Sequence, residues 1–215
     1  MGQQDKKQAE QTKINQQIHQ LVTRIDQDPQ NTTNYLQLAT CLLDQGSFAQ
    51  ATQLLEQAKH LVNKPQDLDY DLAVCYYMQG EFTKALTLLD QIPNDDLVLY
   101  QKALVYLKIG QQQKALAYAL TIKHVDDRVR ELLGDIWLSL GQLDEAQKSY
   151  RQIGLANRSA KVDFLLGITI LAEDRTAAKK FFEQAKELDP KYYQQALDQY
   201  AAILKMINDK GKNND

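Results

Sequence analysis

Three histidines, two cysteines and several adjacent carboxylates are the side chains in this 215-residue chain that could do metal, nucleophilic or acid–base chemistry. A metal face on a helix needs a second His or Cys three or four residues from the first, and His19, His60 and His124 each stand without one. They read as surface histidines. No glycine-rich loop that could wrap a phosphate is present. The pairs Asp95 with Asp96 and Asp126 with Asp127 each precede an amphipathic run, where a carboxylate accepts from the free amides of a first helical turn. Capping, not acid–base catalysis, is the expectation there. The sequence therefore predicts no catalytic residue, no metal and no cofactor, and reads as a protein that is not an enzyme.

Cys41 and Cys75 lead from chemistry to architecture, because they are 34 residues apart and other residues keep the same interval. Gly46 and Gly80, Phe48 and Phe82, Ala51 and Ala85, and Leu55 and Leu89 are all spaced by 34. Equivalent points of stacked helical units lie roughly 10 Å apart, as packed helices do, and a disulfide does not span that distance. Two buried, unpaired thiols are expected.

The repeating stretch has one grammar. Tyr35, Leu38, Cys41, Leu42 and Leu43 fall at helical spacing until Gly46 interrupts, and Phe48, Ala51, Leu54, Leu55, Ala58 and Leu61 then line a second helical face that Pro65 closes. Gly46 stands where the first helix must stop, since glycine takes a left-handed cap without steric penalty. The pattern continues through Leu72, Ala73, Tyr76, Gly80, Phe82, Ala85 and Leu89; through Ala103, Tyr106, Gly110, Ala115 and Ala119; through Leu133, Gly134, Trp137, Gly141, Ala146 and Tyr150; and through Leu166, Gly167, Ile170, Ala178, Phe182, Ala185 and Pro190.

The fourth unit's LLGDIWLSLGQLDEAQKSY and the last unit's FFEQAKELDP resemble the tetratricopeptide repeat, of the kind met in bacterial proteins, whose pattern is W-x2-L-G-x2-Y followed by Ala, an aromatic and Pro. The resemblance covers about residues 32 to 190. It implies an all-α fold, a right-handed α-solenoid of about five helix-turn-helix repeats with capping helices at both ends. The expected layout is a polar tail and capping helix over 1–31, repeats at about 32–65, 66–95, 96–126, 127–157 and 158–190, and a capping helix and tail over 191–215. Trp137, Tyr106 and Tyr76 occupy the repeat's own aromatic position and are expected in the core rather than as a stacking platform for bases. Repetition itself has a physical reason: one helix pair cannot bury both of its apolar faces, so each unit needs a neighbour.

The spacing is uneven. Gly80 to Gly110 is 30 residues and Gly110 to Gly141 is 31, which predicts short second helices, one of them stopped at Pro93. The last unit has Glu173, Asp174 and Arg175 in place of a turn glycine. At the ends, Ile14, Ile18, Leu21, Val22 and Ile25 form one amphipathic helix that stops at Pro29. Tyr192, Tyr193, Leu197, Tyr200, Leu204 and Ile207 form another before a frayed GKNND tail.

In the family that the chain resembles, the first helix of each unit builds the inner face of the stack. Counted from Thr32, Gln66, Asp96, Asp127 and Ala160, the fifth and ninth residues would face that groove: Leu36 and Thr40, Tyr70 and Val74, Tyr100 and Leu104, Glu131 and Asp135, Phe164 and Ile168. With Tyr77 beside them, Leu36, Tyr70, Val74, Tyr100, Leu104, Phe164 and Ile168 form an apolar set, with Glu131 and Asp135 as a polar edge. A Lys and Asn clamp for a terminal carboxylate is absent from the first units. The groove would accept an apolar or amphipathic segment of a protein partner, or be filled by the chain's own Tyr192 to Ile207 helix. A peptide-sensing regulatory receptor is the other reading, although only about thirty residues precede the array.

Composition limits the partners. A formal charge of −3, from 25 basic and 28 acidic residues scattered along the chain, supplies no field for a phosphate backbone, so nucleic acid is not expected. No signal peptide and no run of about 18 apolar residues is present, and Lys6 stands where a myristoylation signal has Ser or Thr after Gly2. A cytoplasmic protein, monomeric or weakly dimeric, is the expectation.

Overall fold

The computed structural model describes the backbone of residues 3–212 and the side chains of residues 8–202, and every regular element among them is helical. The α-helices are α1 (Gln3–Gln27), α2 (Thr32–Asp44), α3 (Phe48–Ala58), α4 (Asp69–Met78), α5 (Phe82–Leu89), α6 (Asp96–Lys108), α7 (Gln112–Thr121), α8 (Asp127–Ser139), α9 (Leu143–Arg151), α10 (Ala160–Ile170), α11 (Arg175–Leu188) and α12 (Pro190–Lys212). They fall into two compact units, Met1–Gly110 and Gln111–Asp215. The all-α class expected from the sequence is the class observed.

Within the first unit, α1 lies on α2, and α2 to α6 pack each against the next. One core gathers Tyr35, Ala39, Ala51, Leu55, Leu68, Leu72 and Cys75, and a second gathers Ala73, Ala85, Leu89, Val98 and Val105. In the second unit α7 to α12 pack in the same serial way, and α12 also reaches back to α10. Each alanine at a helix crossing is fully buried, Ala51, Ala85 and Ala146 among them, which lets the paired backbones approach closely.

The turns are built as the glycine spacing predicts. Gly46, Gly80, Gly110 and Gly141 have φ between 70° and 79°. After α2, the Ser47 amide donates to Leu42 O and the Gly46 amide to Leu43 O, the paired bonds that close a helix through a left-handed residue. The Glu81 and Gly80 amides repeat this on Tyr76 and Tyr77, and the Gln142 and Gly141 amides on Trp137 and Leu138. The last pair manages without glycine. Asp174 keeps a negative φ; its amide and that of Glu173 close α10 on Ile170 O, and its carboxylate accepts from the Thr176 and Ala177 amides at 2.9 Å to cap α11. Asp95 and Asp126 cap α6 and α8 through the Val98 and Val129 amides.

A valine at position 80 therefore loses stability through the backbone alone, because nothing lies within 4 Å of the Cβ it would add. The expected loss for Gly80→Val, and equally for Gly46→Val, is about 1 kcal/mol or more. Thermal melting of either variant at the wild-type temperature would contradict a left-handed cap there.

Several elements depart from the sequence reading. α3 ends at Ala58 instead of running to Pro65; overlapping turns at 57–62 drop Val62 into the core and leave Leu61 51% exposed. Pro65 instead opens a short 3-10 turn, Pro65–Leu68, ahead of α4. α1 begins at Gln3, so residues 3–13, expected as a polar tail, continue the helix; their Gln, Lys, Glu and Ala content favours it without any apolar stripe. α12 continues through Gly211, where a tail was expected. Met1, Gly2 and Asn213 to Asp215, and the side chains of Leu204 and Ile207, lie outside the described residues. α5 is the shortest α-helix described, eight residues against 14 in α11, as the 30-residue glycine spacing predicts, but it ends at Leu89, before the stop expected at Pro93.

Candidate partner-binding site

The first helices α2, α4 and α6 of the first unit touch one another in sequence order. Tyr70, Val74 and Tyr77 fall one turn apart along α4, as do Tyr100 and Leu104 along α6, the spacing that places side chains on one helix face. All five, and Leu36 on α2, are half-buried. Three of them are fixed from beneath. Tyr70 and Tyr77 pack against the core of Ala73, Ala85, Leu89, Val98 and Val105, and the Tyr77 ring lies 5.9 Å from Phe82 of α5 at 55°. Leu36 packs on the neighbouring core, while Thr40 turns its hydroxyl to its own helix, donating to Leu36 O at 2.9 Å. The arrangement is a set of partly exposed apolar side chains, three of them seated on the cores beneath.

The equivalent residues of the second unit have a different fate. Phe164 is only 4% exposed, and its ring meets Phe182 at 5.4 Å, Tyr193 at 6.0 Å and Tyr192 at 6.5 Å. Ile168 packs into the same cluster with Ala160, Ala185 and Ala196. Residues Phe164 and Ile168, read from sequence as groove lining, are thus covered by the chain's own α12, whose tyrosines are long enough to reach α10.

The polar edge is also occupied from within. Lys161 on α10 donates to Glu131 at 2.7 Å and to Asp135 at 2.5 Å, and the Tyr150 hydroxyl of α9 donates to Asp135 at 2.7 Å. Burial opposes the lysine's charge, but Asp135 and Glu131 outweigh it and raise its pKa. For Tyr150, burial and then Asp135 push the phenol well above its ordinary value, so it serves only as a donor. Sequence reasoning found both carboxylates and missed their cation. The signal was available, since Lys161 is the second residue of its unit and a neighbouring first helix presents it to the fifth and ninth residues of the unit before.

The expected reactive groups resolve differently. His19, His60 and His124 are exposed, and no cluster of His, Cys, Asp and Glu able to hold a metal occurs among the described residues. Trp137, Tyr106 and Tyr76, expected in the core, are half-buried; Tyr76 donates to Glu56 at 2.5 Å beneath the ammonium of Lys84. Both cysteines are free, but only Cys75 is fully buried. Cys41 is half-buried at a concavity shared by Ile14, Gln17 and Thr40, because α1 leaves that side of α2 partly open. Burial, with Asp71 second, pushes the Cys75 thiol up to about 11. A maleimide near neutral pH should therefore label Cys41 in the folded chain and Cys75 only after denaturation. Labelling of both at equal rates, read by mass spectrometry, would contradict the burial of Cys75.

Serially packed helix pairs, closed by left-handed glycine turns over buried alanines, define a helical-repeat protein of the solenoid class. A family model described as Tetratricopeptide repeat matches residues 42–105, and a second of the same description matches residues 171–192. Over those two stretches the chain carries tetratricopeptide repeats. No curated protein matches it.

Solved structures share the fold at low identity. A chain of the APC/C hetero-tetramer Cut9–Hcn1 is 17% identical with a TM-score of 0.75, over 87% of this chain and 39% of that one. This chain thus spans well under half the length of that relative. The pilF protein of Pseudomonas aeruginosa is 18% identical with a TM-score of 0.68, over 89% of this chain and 92% of that one. YrrB, described as a TPR protein with an unusual peptide-binding site, is 18% identical with a TM-score of 0.55, over 83% of this chain and 97% of that one. Among the described residues no helix is long and apolar enough to cross a membrane.

Proposed function

We propose that the protein is a non-enzymatic interaction scaffold of the cytoplasm. In this reading, Leu36, Tyr70, Val74, Tyr77, Tyr100 and Leu104 receive an apolar or amphipathic segment of a protein partner. The observation that supports it is a contrast between equivalent positions. In the second unit Phe164 is closed by α12, whereas the matching Tyr70 and Tyr100 of the first unit keep exposed edges. Ordered aromatic side chains with one wet edge lose little freedom on binding and gain much contact area. Proteins of this fold include a chain of the Cut9–Hcn1 hetero-tetramer and YrrB, described as having an unusual peptide-binding site. The uncharged character of the strip suits an apolar segment better than a terminal carboxylate, which needs a cation.

The test is a double variant, Tyr100→Lys with Leu104→Lys. A partner recovered with the wild type, or a peptide selected on it from a display library, should bind the variant at least about 100-fold more weakly, since buried anchors contribute about 2 kcal/mol or more each. Thermal melting should move little, because both side chains already present part of their surface to solvent. Unchanged partner binding would remove the strip from the function.

A further inference from the structure

The fourth residue of each unit, counted from the same starting points, is Tyr35, Asp69, Leu99, Arg130 and Asp163. The repeat pattern places a tryptophan there, and the site is a buried one: Tyr35, Asp69, Leu99 and Asp163 are each 7% exposed or less. Two of these residues are aspartates, and they are treated differently. Asp69 is ion-paired with Lys59 at 2.6 Å, a lysine that follows α3 directly. Among the described residues Asp163 has no such lysine. Its Oδ1 is buried without a hydrogen-bond partner among the described residues. Arg158, the nearby cation, directs its fork elsewhere, with Nε donating to Ile153 O at 3.1 Å and Nη2 to Arg151 O at 3.0 Å. Burial pushes the Asp163 carboxyl above its ordinary value, with the Arg158 charge pulling the other way.

An aspartate where a tryptophan would fill space leaves room beside it. A concavity of about 360 Å³ opens there, lined by Leu155, Arg158, Asp163, Gln184, Glu187 and Leu188. Its carboxylates outnumber its single cation. Its apolar lining is unusually bare, Leu155 being 79% and Leu188 58% exposed. A buried carboxylate without a partner is costly, and a cation supplied from outside relieves it.

We propose that this concavity takes a lysine side chain from a segment of a partner protein, its ammonium meeting Asp163 and Glu187 and an apolar neighbour resting on Leu155 and Leu188. Lysine fits better than arginine because Asp163 Oδ1 is fully enclosed and an incoming cation meets the other oxygen of the same carboxylate; a compact ammonium on a flexible stem is satisfied by one such acceptor, whereas a guanidinium needs a planar pair. The stem lies along apolar surface as lysine stems do. The chain's own Lys59 on Asp69 shows the same chemistry at the same position of another unit. The two exposed leucines favour a peptide over a free amine, since an amine alone leaves them wet. This inference involves other residues than the first-unit strip and does not rest on it.

Amide shifts of the ¹⁵N-labelled full chain, titrated with three probes, test the proposal. Acetyl-Leu-Lys-Leu-amide should shift amides around 155–163 and 184–188, and bind at least tenfold more tightly than acetyl-Leu-norleucine-Leu-amide and than butylammonium. Asp163→Asn should reduce the lysine peptide to the level of the norleucine peptide, and Leu188→Ser should weaken it several-fold with the carboxylate intact. Should Asp163→Asn fail to fold, Glu187→Gln and Leu188→Ser decide the matter by the same readout. Equal binding of the norleucine peptide overturns the charge recognition. Equal binding of butylammonium makes this a site for free amines and overturns the partner. No shift with any probe means that buried water satisfies Asp163 and the proposal fails.

Discussion

Gly134→Ala is expected to destabilise the protein by about 2 kcal/mol, although alanine is the better helix former. By propensity alone the change within α8 should gain about 1 kcal/mol. Packing reverses the sign. A Cβ at position 134 would stand 2.6 Å from Cδ1 and Cζ of Tyr150 and closer still to Cε1. Tyr150 is fully buried, packed with Ala146, Ile153, Val162 and Leu166, and tied to Asp135 through its hydroxyl. Moving the ring strains a filled core, typically by 1–3 kcal/mol, and loosens a buried polar contact of about 1 kcal/mol or more. Urea denaturation reads the difference directly. Gly167→Ala meets Phe182 in the same way, at 2.5 Å, but that ring is only half-buried and has more room to yield, so a smaller loss is expected. A Gly134→Ala variant as stable as the wild type would mean that Tyr150 does not hold the position described.

The two kinds of glycine show what the sequence made legible. Gly46, Gly80, Gly110 and Gly141 were readable as turns because each interrupts a helical apolar pattern, and the physics of a positive φ admits little else. Gly134 and Gly167 were readable only as members of a motif; that each lies beneath an aromatic ring depends on which neighbour crosses there. The helix pairs were equally legible from period and spacing. What periodicity could not supply was long-range pairing of polar groups: Lys161 with Glu131 and Asp135, or Lys59 with Asp69, each joining positions ten to thirty residues apart. Cys41 and Leu61 sit on helical faces by count but near helix ends, where turns and a partial cover decide exposure. The position set Leu36 to Ile168 reads as one strip in sequence, yet within the second unit Phe164 and Ile168 pack into a cluster with α12.

Removing α12, by ending the chain after Asp189, should lower stability by about 3 kcal/mol or more and create binding of an apolar dye. The helix covers Phe164, Ala160 and Ala185 with Tyr192, Tyr193, Ala196 and Tyr200. Full burial of one large apolar side chain contributes about 1.5–3 kcal/mol, and Phe164 is only one of those uncovered. Tyr192 also lies beside the Lys161 cluster, so its loss brings water to that ion network and weakens it by screening. Dye fluorescence alone does not separate new apolar surface at α10 from general loosening, so the truncated chain is compared with a truncated Phe164→Gln variant. If α12 is the cover for Phe164, the glutamine should remove most of the dye signal while far-ultraviolet circular dichroism remains helical. A truncated chain that melts as the full chain does, and binds no dye, would leave α12 without a covering role. The contrast between Phe164 and its first-unit counterparts Tyr70 and Tyr100 would then lose its meaning, and with it the reason for placing a partner on the first unit.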